Sequence, residues 1–205
     1  MADEQNPAST ADQEVRKRPK PGERRIQILQ ALAAMLEKPG AERVTTAALA
    51  ATLGVSEAAL YRHFASKAQM FEGLIEFIET SVFSLLNQIA DGPHEARDKV
   101  RRMLTVLLQF ADRNPGMARV MVGDALVFEN DRLHQRMNLF FDKIEASLRQ
   151  VLRESAATSA TPTVDAQVQA SVAVSFVIGR LHRFARSGYK RSPTEHLDAS
   201  LNAML

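Results

Sequence analysis

The chain has 205 residues, 45% of them hydrophobic, with 26 Lys and Arg against 24 Asp and Glu, five His and no Cys. That apolar content excludes disorder throughout, and the lack of Cys excludes disulfides and thiolate metal sites. A net charge of +2 is modest for a nucleic-acid partner, so where the charges lie matters more than their sum.

Residues 1–21 are polar, contain Pro7, Pro19 and Pro21, and have no apolar signal core. They read as a disordered basic arm, and the chain as cytoplasmic. Arg16, Lys17, Arg18, Lys20, Arg24 and Arg25 cluster there and at the start of the first helix, with only Glu23 opposing them. Such a run is usually a solvated tail; beside a DNA reader it follows phosphates or enters the minor groove, adding affinity that falls with salt. The first helix carries a core stripe of Ile28, Leu29, Leu32 and Leu36, and Pro39-Gly40 ends it.

Residues 44–71, VTTAALAATLGVSEAALYRHFASKAQMF, predict a helix-turn-helix over about 45–64. Thr45 is placed to cap a helix with Leu49 and Leu53 inward, Gly54 to end it in the left-handed conformation, and Ser56 to cap the next. Leu60 and Phe64 then face inward with Val55, leaving Glu57, Ala58, Tyr61 and Arg62 for a major groove. Thr45, Thr46 and Lys67 are expected phosphate anchors, because helix N-termini offer free N–H groups and Lys67 adds charge. Arg62 is a candidate base reader, since an Arg bonds both acceptors of guanine. Ala58 allows close approach, and Glu57 either accepts from cytosine or complements the helix dipole.

A long helix follows, capped by Ser66, with Phe71, Leu74, Ile75, Ile78, Val82, Leu85, Leu86 and Ile89 at helical spacing up to Asp91-Gly92-Pro93. The next carries Val100, Met103, Leu104, Leu107 and Ala111 and stops at Asn114-Pro115-Gly116. A further helix holds Leu133, Met137, Phe140, Ile144, Leu148 and Val151, with charges that permit coiled-coil-like packing over about 128–154. Residues 155–163, SAATSATPT, predict a mobile loop. The helix after it is apolar on two sides, with Val168, Val172 and Phe176 on one and Val174, Val177, Ile178, Leu181 and Phe184 on the other. Such a helix needs two partners, either as a central core element or, as we favour, by packing on its own body and on a second subunit. The expected dimerisation residues are Val168, Val172, Phe176, Val177, Leu181 and Phe184. Two heads about 34–36 Å apart then match a palindrome.

The order T-T-x-x-L-A, G-V-S and L-Y-R-H-F-x-S-K resembles the DNA-binding signature of TetR-type bacterial regulators. FEGLIEFIE at 71–79, RNPG at 113–116 and ALVFENDRL at 125–133 extend the likeness to the nucleoid occlusion members of that family, which bind DNA and restrain the division protein FtsZ. The resemblance implies an all-α fold: a disordered arm at 1–21, a three-helix DNA-binding head over 22–82 and a helical dimerisation and partner-binding body over 83–205. It also implies a homodimer at the nucleoid. Tyr61 and His63 occupy positions that lie at the DNA face in that family, although they also suit a core edge. Phe77 is a candidate FtsZ contact, placed with Met70 beside a groove against the next helix, or else ordinary packing. Arg113 and Asn114 complete such a groove or cap the turn at Pro115.

No catalytic constellation is visible. His63, His94, His134, His182 and His196 are scattered without metal-ligand spacing, and neither a nucleophile elbow nor a phosphate loop occurs. The expectation is a binding protein with no cofactor and no metal. Besides the nucleoid occlusion factor, the sequence leaves room for a repressor released from its operator by a small molecule, which requires a cavity in the body.

Overall fold

The computed structural model of the chain describes residues 22–38, 43–155 and 162–205. The arm at 1–21, the Pro39-Gly40 break and most of the expected loop at 155–163 lie outside the described residues. Nine α-helices are described: α1 (Glu23–Leu36), α2 (Thr46–Leu53), α3 (Glu57–Tyr61), α4 (Lys67–Ala90), α5 (Ala96–Arg113), α6 (Pro115–Met121), α7 (Asp131–Ser155), α8 (Pro162–Arg186) and α9 (Leu197–Met204). A single 3-10 turn, Asp124–Leu126, joins α6 to α7. The architecture is all-α.

The head is α1 to α3 packed on the first turns of α4. Ile28 and Leu32 of α1 meet Leu49 of α2, Leu60 of α3, Phe64 and Phe71, each no more than 1% exposed. α4 continues from this core into the body without interruption, burying Phe71, Leu74, Ile75, Ile78, Val82 and Leu86 on one stripe. The expected head boundary at residue 82 therefore falls inside a helix. Leu85, assigned to the stripe from spacing, is 40% exposed: it neighbours Leu86, and 100° of rotation carries it off the inward face. Met70, expected beside an open groove, is instead fully buried.

In the body, α7 lies along α4 and is tied to it by charge. Arg136 bonds both carboxylate oxygens of Glu79, at 2.6 and 3.2 Å, and Arg132 pairs with Glu72 at 2.8 Å. The hydrogen bond that Arg136 donates to Glu79 outweighs desolvation and holds the guanidinium above its ordinary pKa. Leu133, Met137, Phe140, Ile144, Leu148 and Val151 are all buried, and α8 packs along the same helix.

α6 departs from the sequence pattern, in which Asn114-Pro115-Gly116 reads as a stop. Pro115 is in fact its first residue, where a missing N–H costs nothing. Gly116 has a packing role: a Cβ there would sit closer than 3.0 Å to the Ala33 carbonyl oxygen of α1 and 3.2 Å from the carbonyl carbon. Only a glycine lets α6 approach the head this closely.

α8 has the two apolar sides that its sequence suggests, but their membership differs. Val174, Val177, Leu181 and Phe184 are at most 5% exposed and pack inside the body. Val177, Leu181 and Phe184 are thus corrected from dimer residues to core residues: Val177 is about 140° around the helix from Val172, and Leu181 and Phe184 continue its row. The outward stripe is Val164, Val168 and Val172, at 60%, 57% and 49% exposure, with Leu139 of α7 at 56%. Phe176 is half-buried at its edge, under the Arg180 guanidinium.

Candidate nucleic-acid interface

The reader is assembled from local caps. The Ala48 N–H donates to Thr45 Oγ1 at 3.1 Å, and Gly54 closes α2 in the left-handed region at φ 64°. The Ala59 N–H donates to Ser56 Oγ at 3.3 Å to open α3, and the Gln69 N–H to Ser66 Oγ at 3.2 Å to open α4. Each cap satisfies an N–H that lacks a partner in its own helix, for about 1 kcal/mol apiece.

α3 is short. It ends at Tyr61, so Arg62 is its C-cap and His63 lies in the turn beyond, where the N–H groups of His63 and Phe64 both return to Leu60 O. Glu57, Ala58, Tyr61, Arg62 and His63 are all exposed, with Ala58 and Glu57 at the N-terminal end of the helix. The outward face is therefore as expected, but the guanidinium of Arg62 starts from the far end of that face.

Several charged or polar candidates are engaged within the protein. Arg25 donates to His63 O at 2.5 Å and stacks over the Phe64 ring at 4.0 Å, sealing the end of α3 where free carbonyls gather negative charge. Its neighbour Arg24 bonds Gln27 at 2.9 Å. Thr46 donates to Glu57 Oε2 at 2.5 Å, which ties the start of α2 to the start of α3 and supports the structural reading of Glu57. Lys67 pairs with Glu129, ahead of α7; the two side chains are 18% and 9% exposed. Its ammonium lies on the body rather than reaching outward, a long-range pairing with no signature in the sequence.

Phe77 is 50% exposed and borders an apolar groove of 200 Å³ with Ile26, Leu29, Gln30, Leu74 and Met117. That groove lies between α4, α1 and α6, not between α4 and α5 as expected, because the Phe77 side chain turns toward the head. Arg113 is exposed at the end of α5, while Asn114 Nδ2 donates to Phe110 O at 2.7 Å and so caps that helix. Neither lines the groove. A larger cavity of 620 Å³ opens where α6, the 3-10 turn, α7 and the end of α8 meet, lined among others by Arg119, His134, His182, Arg186 and Tyr189. Among the described residues no group of three or more metal-ligating side chains occurs, and no helix is long and apolar enough to cross a membrane.

Residues 28–74 match the family described as bacterial regulatory proteins of the tetR family. Residues 95–204 match a SlmA-like family described as the tetracyclin repressor-like C-terminal domain. The nucleoid occlusion factor SlmA of Idiomarina loihiensis is 52% identical over 182 residues, covering 88% of this chain and 93% of that protein. The chain belongs to the SlmA family. SlmA of Photobacterium profundum is likewise 52% identical, over 85% of this chain and 90% of its own. Among solved structures, the fatty acid degradation regulator FadR of Bacillus halodurans superimposes with a TM-score of 0.74 at 13% identity, covering 91% and 97% of the two chains. FadR of Bacillus subtilis, in complex with stearoyl-CoA, gives 0.72 at 14%, over 87% and 96%. At those identities the structures show the fold, whereas the SlmA relatives show the family. DNA binding follows from both matched regions being those of DNA-binding regulators.

Proposed function

We propose that this chain is a nucleoid occlusion factor: a homodimer that binds palindromic chromosomal sites and, from those sites, engages FtsZ and antagonises division-ring assembly over the nucleoid. The observation that carries this reading is that the SlmA likeness spans head and body alike, since the head alone is shared by regulators of many kinds. The outward valines of α8 and Leu139 supply an apolar face suited to a second copy. In that dimer the two α3 helices enter successive major grooves. Thr45, Thr46, Ser56, Tyr61 and His63 then lie against phosphates, Glu57, Ala58 and Arg62 lie toward bases, and Arg24 approaches the backbone from the first turn of α1. Phe77 with its apolar groove, and Arg113 with Asn114 nearby, are the proposed FtsZ contacts.

The test is sedimentation of the purified chain with FtsZ filaments, with and without a bound duplex. Association that requires the duplex supports the reading; none in either condition removes it. One observation favours a second reading: the body holds a 620 Å³ cavity, as a ligand-released repressor requires, and two of its lining residues, Arg119 and Tyr189, bond the end of α1. In that case a small molecule, rather than FtsZ, releases the duplex.

A further inference from the structure

Tyr189 stands where the trunk meets the head. α8 ends in a Schellman turn: the Gly188 N–H donates to Ala185 O at 3.1 Å and the Tyr189 N–H to Phe184 O at 3.0 Å, with Gly188 left-handed at φ 61°. The Tyr189 ring lies 5.2 Å from that of Phe184, the apolar contact that accompanies this turn. Tyr189 is itself left-handed at φ 66°, a conformation that a residue with a Cβ holds only when its surroundings demand it. Two left-handed residues in succession aim the phenol at the head, where its hydroxyl donates to Leu36 O at 3.0 Å across 153 positions of sequence.

Leu36 is the last residue of α1, and its carbonyl is one of the four that an α-helix leaves without an internal partner. Arg119 of α6 donates to the same oxygen at 3.3 Å while its Nε bonds Asp124 at 2.6 Å. The end of α1 is thus fastened to the end of α8 and to α6 at one atom. From α1, Arg25 continues the connection to the end of α3 through His63 O. Polar contacts at the two ends of α1 therefore join, through that helix, the one that carries the outward valines to the one that faces DNA.

We propose that Tyr189 is a positioning residue for DNA recognition: its hydroxyl, with Arg119, fixes the angle between α1 and α8 and so sets the separation of the two heads. The proposal rests on the dimeric reading above. Packing of α6 on α1 through Gly116 already holds the head in place, so the hydroxyl is needed for the angle rather than for folding. Without it, each head samples a wider range of orientations around the dimer axis.

The experiment uses the full chain and its Tyr189→Phe variant, which keeps the ring and its contact with Phe184. A palindromic duplex is first selected from a randomised library by the unaltered protein. Duplexes with one or two base pairs inserted or removed between the half-sites are then titrated by fluorescence anisotropy at fixed salt. The variant is expected to bind the best spacing about fivefold more weakly, the effect of one lost hydrogen bond, and to lose less than the unaltered protein when the spacing changes. Equal losses at every spacing indicate a stability defect and overturn the proposal, as do identical profiles for the two proteins. If the unaltered protein enriches no palindrome, the dimeric reader fails, and the positioning role with it. That outcome is distinct from a palindrome bound identically by both proteins.

Discussion

Gly116→Ala tests the seam between head and body. The added Cβ would fall closer than 3.0 Å to Ala33 O and 3.2 Å from both Ala33 C and Glu37 Cγ. Glu37 Cγ ends no rigid group and can move, but Ala33 O is backbone within α1 and also accepts from the Glu37 N–H at 3.1 Å. α6 must therefore retreat, which opens the interface or bends α1. Overpacking of this kind costs about 1–3 kcal/mol, and the gain of about 0.5–1 kcal/mol from replacing a helical Gly offsets part of it. The net expectation is a loss of about 1–2 kcal/mol, which for a chain of this size lowers the melting temperature by roughly 3–6 °C. Gly73→Ala is the matched control: its Cβ would meet the terminal methyls of Leu29 at 3.3 Å and Phe64 at 3.4 Å, and the Leu methyls can yield. That variant should melt at or slightly above the unaltered protein. Thermal unfolding followed by circular dichroism, at one protein concentration because dimerisation shifts the midpoint, compares the three. If Gly116→Ala melts as high as Gly73→Ala, α6 does not approach α1 as described and the reasoning fails.

Lys67→Ala strands the Glu129 carboxylate, 9% exposed, and should cost about 2 kcal/mol of stability; unchanged urea unfolding would dismiss the ion pair. Glu129→Gln instead releases the ammonium, so affinity for random and selected duplexes should rise together and the salt dependence steepen by about one counterion. An unaltered slope means Lys67 does not reach phosphate. Val172→Asp places a charge in the outward stripe of α8 and should shift sedimentation equilibrium from dimer to monomer, whereas a persistent dimer moves the interface elsewhere. Burial lifts the Tyr189 phenol above its ordinary pKa. The fold thus favours the protonated form, whose contribution is intact below about pH 10 and is lost as pH rises through the raised value. Tyr189→Phe lacks that alkaline component, and matching alkaline unfolding curves for the two proteins would contradict the assignment.

What the sequence made legible is what acts over short range. Thr45, Ser56 and Ser66 each cap an N–H three residues away, and Gly54 turns its own backbone, so residue type and spacing suffice to find them. Core stripes on α5 and α7 were equally plain, since every third or fourth residue meets the same neighbour. Long-range uses of polar groups left no such trace. Arg25 on His63 O, Lys67 on Glu129 and Tyr189 on Leu36 O join positions 38, 62 and 153 apart, and each is set by packing rather than by pattern. Pro115-Gly116 misled for a related reason. The pair ends one helix, as its chemistry says, but it also begins another whose glycine answers to a backbone 83 positions away. On α8 two apolar sides were visible, yet which valine faced which partner depended on a helical phase that only the tertiary packing defines.

The unbroken run of α4 has a mechanical consequence. Its 24 residues form a rod of about 36 Å, with the recognition elements at one end and the trunk gripping it near its middle through Arg136 and Glu79, roughly 18 Å from that end. An arm of about 18 Å converts rotation at that grip into displacement of the head: a tilt of about 10° sweeps the head end by roughly 3 Å, close to the rise of one base step. A rotation of the trunk about that grip is thereby translated into a shift of register on the duplex.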